Sequence, residues 1–363
     1  MPLSQSRRQF LQLSAAVAAG ACGPLSFGNP IRREAHDACA VGLLAAQTHV
    51  PDLTRAVVAA GARVAAVGGT FDELADVAID ALAIGSGLAA PEDAARKALE
   101  RGLHVFAADP LGRSVTEWRT LTELARHRGV VLRTDSLSPD APSVRQIASL
   151  IDDAELGALR EIVCWTSRSA SDDSERDFRS RGGRVLNVPL LVLGSRQPRS
   201  VYGAGSATAA EFPQSMAVRY EFPGTSEETP FFVTWYDGEW APPYESIDDY
   251  PLPSSGALYL GETGQLLDDP VTGARVLFRN GAPSQALPSL ASAPHSALPR
   301  WLAACADLSP NSLKLDPAER ANAAVLAGLA SYRAQHSLEW DALALCARNC
   351  PEADALIDVP RRA

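Results

Sequence analysis

From residue 38 onward, short apolar runs take turns with amphipathic stretches. The pattern predicts strands over 39–44, 63–67, 79–84, 104–107 and 130–133, with helices over 51–60, 91–101 and 115–128 between them. Strand and helix in alternation give a parallel sheet with helices on both faces, a doubly wound α/β domain that binds ligands at the carboxyl ends of its strands. The helix ends are marked in the sequence. Pro91 suits a first helical turn, Glu92 and Asp93 complement its positive end, and Gly102 and Gly129 stand where two helices should close.

Further on the period changes. Residues 157–165 read as a strand entering a second domain, 167–181 as a polar loop, and 215–222 and 230–237 alternate like sheet strands around a turn containing Glu227 and Glu228. A helix over 319–335 carries alanines spaced for close packing, and the Ser, Ala and Pro of 283–299 predict a mobile loop. Four segments follow: 1–30, a leader and linker; 36–156, a Rossmann-like domain; 157–310, a second α/β domain; and 311–363, a helix and tail.

Composition narrows the function. With 363 residues, 46% of them hydrophobic and 21% charged, the chain can bury two cores. A net charge of -10 leaves no basic field for a phosphate backbone, which argues against nucleic acid. Ser6-Arg7-Arg8-Gln9-Phe10-Leu11 and the weakly apolar run behind it read as a twin-arginine export signal, which implies a periplasmic protein. The run is too short and alanine-rich to span a membrane, and Cys22 offers a site for a lipid anchor. Cys39, Cys164, Cys305, Cys346 and Cys350 show no paired spacing of a disulfide framework or zinc site; Cys346 and Cys350 stand four apart on a predicted helix as small core residues, and no metal is expected.

A dinucleotide site needs glycines in the first strand-to-helix turn and an acidic residue at the end of the second strand. Two registers compete for that fingerprint. In one, Gly85 and Gly87 supply the glycines and Asp109 follows at about the required spacing, but Pro91 starts the helix beyond the motif's last position, where it should already be helical. In the other, the fingerprint belongs to Val41-Gly42-Leu43-Leu44-Ala45-Ala46-Gln47-Thr48-His49-Val50.

That second register comes with a likeness. The twin-arginine start, the unit at 41–50, Asp80-Ala81-Leu82-Ala83-Ile84, Gly102-Leu103-His104-Val105 with Pro110-Leu111, Trp235-Tyr236-Asp237-Gly238, residues 256–264 and the tail from Pro310-Asn311-Ser312 to Asn349-Cys350-Pro351 resemble the Gfo/Idh/MocA family, in particular its exported bacterial branch. The resemblance implies an NAD(P)-dependent sugar or polyol oxidoreductase fold, with a Rossmann-like domain and an α/β domain on a large, open, mostly antiparallel sheet. It also implies a dimer or tetramer paired through that sheet's outer face, and a tail helix packed at the domain junction.

It further implies where function should reside, and there the chain departs. The three glycine positions fall on Ala45, Gln47 and Val50, and the acidic position falls on Gly69. Side chains then stand in the diphosphate's approach, and no carboxylate remains for the ribose. The family's Glu-Lys-Pro triplet falls on Ala108-Asp109-Pro110, which puts a carboxylate in place of the lysine. Its proton-exchanging histidine falls on Arg184, flanked by Ser180 and Asn187 in place of two carboxylates. Arginine has no acceptor and stays protonated, so it cannot act as the base.

The expectation is a non-catalytic protein without a cofactor, holding a sugar-like small molecule or pairing with a related oxidoreductase subunit. The alternative is an NAD or NADP enzyme with nonstandard residues, using Asp109 and Arg184. A third reading, glycoside cleavage, needs two placed carboxylates and has Glu227, Glu228, Asp237 and Glu262 to choose from. The aromatics near Trp235, Trp240 and Tyr259 are candidates for core packing and for a sugar platform alike.

Overall fold

The computed structural model describes residues 38–353 apart from 89, 113, 136, 138, 168–174, 208–211, 225–228, 244–245, 248–249, 271, 280–281, 290–295, 308–317, 343 and 345. The leader with Cys22, the Glu227 and Glu228 pair and the Pro310-Asn311-Ser312 motif lie outside the described residues.

The first domain is built on five strands: β1 (Ala40–Leu44), β2 (Arg63–Gly68), β3 (Ala81–Ile84), β4 (His104–Ala107) and β5 (Leu132–Thr134). They pair in the order β2-β1-β3-β4-β5, every pair parallel. β1, β3 and β4 are buried along their whole length, as strands covered on both faces must be. Helices α1 (Val50–Ala59), α2 (Pro91–Glu100), α3 (Val115–Arg128) and α4 (Pro142–Asp152) connect the strands or follow them. Pro91 opens α2 as expected, Ser114 caps α3 by accepting from the Glu117 N–H at 3.0 Å, and Gly129 closes α3 in the left-handed region at φ 64°.

The second sheet has ten strands in the order β15-β14-β13-β12-β6-β9-β8-β7-β16-β17. They are β6 (Leu159–Thr166), β7 (Ser200–Gly205), β8 (Met216–Phe222), β9 (Phe231–Asp237), β12 (Ser255–Gly261), β13 (Gly264–Asp268), β14 (Arg275–Arg279), β15 (Ala282–Leu287), β16 (Leu338–Asp341) and β17 (Cys346–Ala347). Only β6 and β9 run parallel. One face packs under α5 (Glu175–Val192) and α7 (Ala318–Ala334) in the largest core, with Trp235, Tyr220 and Tyr259 fully buried. On the other face a small hairpin, β10 (Ser246–Ile247) with β11 (Tyr250–Pro251), closes over Val163, Trp165 and Leu258.

The chain then returns to the first domain. Helix α6 (Leu298–Asp307) buries Leu298, Trp301 and Cys305 against Val41, Leu43 and Phe106, with the Phe106 and Trp301 rings 5.5 Å apart. A segment that lies between β15 and β16 of the second sheet thus completes the core of the first.

Three expectations are corrected. The polar loop expected over 167–181 is helical from Glu175, because Phe178, Arg179 and Arg181 are buried within α5. The mobile loop expected over 283–299 contains β15 and the start of α6; pairing with β14 and burial of Leu298 override the turn-like composition. Cys346 and Cys350 are not on a helix. Cys346 lies in β17, paired to Asp341, and Cys350 follows in the next turn.

Candidate functional site

The strand order reverses between β1 and β3, so a ligand-binding crevice of this sheet type lies at the carboxyl ends of those two strands. Ala45 there is buried at 6% exposure, and a Cβ on Gly85 would stand 2.6 Å from the Ala45 Cβ. The two turns touch because Gly85 has no side chain. Gly87, exposed at φ 77°, lies beside Ala46 and His49. Gly85 and Gly87 therefore serve the contact between two neighbouring turns.

The turn after β1 satisfies itself. The His49 N–H donates to the Ala46 carbonyl at 2.8 Å, Pro51 in the first turn of α1 has no N–H, and the acidic Asp52 follows, paired with Arg55 at 3.2 Å. Gln47 is exposed and Val50, the first residue of α1, is half-buried. At the end of β2 the exposed Gly69 N–H donates to Glu73 at 3.0 Å, and the Thr70 hydroxyl donates to the other oxygen of the same carboxylate at 3.0 Å. Glu73 is an acidic group at that strand end which the sequence register missed. Its only sequence signal is a Thr-x-x-Glu capping pattern over 70–73.

The turn after β4, 108–112, is held from across the domain boundary. The Ser180 hydroxyl donates to the Asp109 carboxylate at 2.8 Å. Pro110 abuts Gly183, where a Cβ would come within 3.0 Å of its ring. Asn322 of α7 donates to the Leu111 carbonyl at 3.3 Å, and the buried Arg179 donates to the Gly112 carbonyl. Four consecutive residues are thereby fixed by two helices of the second domain.

Helix α5 can do this because it is itself anchored. Arg181 grips Asp237 of β9 through Nε at 2.8 Å and Nη2 at 2.7 Å, with the side chains 6% and 3% exposed, and Thr166 adds a third donor to Asp237 at 2.8 Å. Gly182 lets the helix sit flat, since a Cβ there would stand 2.5 Å from the Trp235 ring. Ser180, Arg184 and Asn187 recur at helical spacing and share one stripe. Ser180 reaches Asp109, the buried Asn187 accepts from the Leu137 N–H at 3.2 Å, and Arg184 between them is exposed. The structure thus brings Asp109, Ser180 and Asn187 to one junction.

His104, in the strand leading to this junction, has a structural role. Its Nδ1 accepts from the Val131 N–H at 3.0 Å, and burial pushes its pKa down to about 4 against the weaker opposing pull of Asp80, so the ring is neutral. Among the described residues, the two remaining candidate carboxylates, Asp237 and Glu262, do not converge. Asp237 is consumed by Arg181, whereas the exposed Glu262 lies 3.5 Å from Arg160. Asp237 pairs with Thr166 and Gly261 with Leu159, which puts the two acids at opposite ends of β6, roughly 20 Å apart at ~3.3 Å per residue. Glycoside cleavage by two carboxylates requires about 5–9.5 Å, so these two cannot form that pair. Trp235 and Tyr259 lie in the core, which removes them as a sugar platform; Trp240 is 37% exposed.

A five-stranded parallel domain with its crevice at the β1–β3 reversal, followed by a large open, mostly antiparallel sheet, defines the class: a two-domain α/β fold that opens on a Rossmann-like domain. Residues 25–136 match the profile of the family described as Oxidoreductase family, NAD-binding Rossmann fold. Over those residues the first domain is similar to this family, Gfo/Idh/MocA. Among its relatives, the trans-1,2-dihydrobenzene-1,2-diol dehydrogenase of Sus scrofa is 24% identical over 43% of this chain and 49% of its own length. The dTDP-3,4-didehydro-2,6-dideoxy-alpha-D-glucose 3-reductase of Saccharopolyspora spinosa is 28% identical over 32% of this chain and 37% of its own. The matches thus span half or less of those enzymes. An inositol dehydrogenase homolog from Azotobacter vinelandii, solved with NADH and myo-inositol, superposes with a TM-score of 0.54 at 14% identity, over 80% of this chain and 87% of that one. Among the described residues no helix is long and apolar enough to cross a membrane.

Proposed function

We propose that this chain is an exported, non-catalytic Gfo/Idh/MocA-fold protein that holds a sugar-like small molecule or pairs with a related oxidoreductase subunit through its open sheet. The observation that carries the reading is the clamped turn at 108–112. Asp109 stands where the resemblance puts a lysine, and its carboxylate is tied to Ser180. Arg184, at the histidine position, has no acceptor for the proton of a reacting hydroxyl.

The nucleotide side supports the same reading. An NAD(P) diphosphate needs close backbone approach and free N–H groups at the first helix N-terminus. Here Ala45 is wedged against Gly85, the His49 N–H is spent on Ala46, Pro51 offers none and Asp52 adds a negative charge. Together these residues do not fit a dinucleotide.

The test is hydride transfer by the purified protein, mixed with NAD+ or NADP+ and a panel of sugars and polyols and followed by nicotinamide absorbance. No turnover above buffer is expected. Turnover that disappears in Asp109→Asn would establish the alternative, an NAD(P)-dependent oxidoreductase with a nonstandard base.

A further inference from the structure

Two free thiols that the sequence keeps far apart, Cys39 and Cys305, belong to one core cluster of the first domain. Cys39 immediately precedes β1, and strand alternation puts it on the face of Val41 and Leu43. Both of those residues line the cluster that α6 completes, and Cys39 packs against the same cluster. Helix α6 starts at the carboxyl edge of the sheet, where the Ala297 N–H donates to Asp135 at 3.4 Å, and it crosses Phe106 at Trp301. Another four residues, about 6 Å of helix, carry it toward the amino edge to Cys305, on the buried stripe with Leu298 and Trp301. The amino edge is where Cys39 enters β1. Cys305 is buried and Cys39 half-buried. The two groups also interact: the Cys305 thiol is pushed well above its ordinary range, first by burial and then by Cys39 beside it.

We infer that Cys39 and Cys305 are the partners of a disulfide that forms after folding and staples α6 to the first strand. The half-buried Cys39 is the thiol that an oxidant reaches first. Its sulfur attacks a small-molecule or protein disulfide, RSSR, and releases one RSH. Cys305 then attacks the mixed disulfide and releases the second. Both S–H bonds and the RS–SR bond are broken, one S–S bond forms within the chain, the two cysteines are oxidised and RSSR is reduced to two RSH. The loop so closed contains almost the whole of the larger sheet, so the crosslink restrains the unfolded chain strongly. The inference rests on the export reading for its setting, because such bonds persist in oxidising compartments, and twin-arginine export delivers a chain already folded.

The experiment uses the full chain, purified under reductant and then incubated with oxidised glutathione. Peptide mapping without reduction should recover a Cys39–Cys305 linked peptide as the dominant species. The oxidised protein should melt about 5 °C or more above the reduced form, and this gain should vanish in Cys39→Ser. Cys305→Ala is the second variant, in case the serine alone disturbs the fold. Recovery of both cysteines as thiols, or linkage of either to Cys164, Cys346 or Cys350, would overturn the inference. Protein recovered from the host separates the two readings. A linked pair in the periplasmic fraction supports both, whereas a reduced protein confined to the cytoplasm that still crosslinks in vitro overturns export alone.

Discussion

Two turns at the carboxyl edge of the same sheet have been closed in different ways. The turn after β1 closes on itself and its neighbour: the His49 N–H goes to the Ala46 carbonyl, the Ala46 N–H to the Ser86 carbonyl, and Gly85 packs into it. The turn after β4 is closed from outside, by Ser180, Gly183, Arg179 and Asn322 reaching over from the second domain. The first needs nothing beyond its own stretch of sequence and the strand next to it. The second depends on how α5 and α7 are seated, so damage far away in the second sheet should loosen it and leave the first untouched.

The largest expected effect follows from unseating α5. Asp237→Ala leaves the buried Arg181 guanidinium without its counter-charge, a cost of about 3–5 kcal/mol. Hydrogen exchange should then speed up over 108–112 and remain unchanged over 45–49. Equal acceleration of both turns would show that they are not separately held.

Next in size is a pH dependence that separates the two domains. His104 feeds the clamped turn and is neutral when folded, with a pKa near 4 against 6.5 unfolded, so its contribution of about 3 kcal/mol is present above pH 6.5 and is lost as pH falls toward 4. In the second sheet, burial raises Asp268 to about 6 despite its ion pair with Arg275 at 2.7 Å. Its contribution has the opposite sign, fully present below its unfolded value of 3.8 and lost as pH rises through 6. The two oppose each other between pH 4 and 6. Urea titrations should therefore show His104→Asn becoming relatively more stable than the parent as pH falls through that window, and Asp268→Asn relatively less stable. Parallel pH profiles for all three proteins would remove both assignments.

How much of this was legible in the sequence depends on the range of the interaction. The strand and helix alternation of the first domain could be read because each element carries its own signal: the apolar run of β4, Pro91 at the start of α2, Gly129 at the end of α3. The ten-stranded sheet was legible chiefly through the family likeness. Helix α5 was missed because Arg179, Ser180 and Arg181 look like loop residues until their partners Gly112, Asp109 and Asp237 are brought to them from far along the chain. For the same reason the retained Gly182 looked like part of a catalytic motif, whereas in the structure it makes room for Trp235. The positions that the resemblance singles out, Asp109, Arg184 and Asn187, are visible in the sequence at once. That two of them tie domains together is not.

Smaller effects sharpen the clamp. Asn187→Ala removes the acceptor for the Leu137 N–H and should cost about 1–3 kcal/mol, with exchange at Leu137 rising first. Ser180→Ala should cost about 0.5–1.5 kcal/mol, because the half-buried Asp109 can still find water. If Ser180→Ala proves the more damaging of the two, the Asp109 tie carries more of the junction than the geometry implies.

The most direct test of the proposed non-catalytic role is a calorimetric titration of the full chain with NADH. No saturable binding is expected, with any affinity weaker than about 1 mM. Saturation at micromolar concentration, with one NADH per chain, would contradict it.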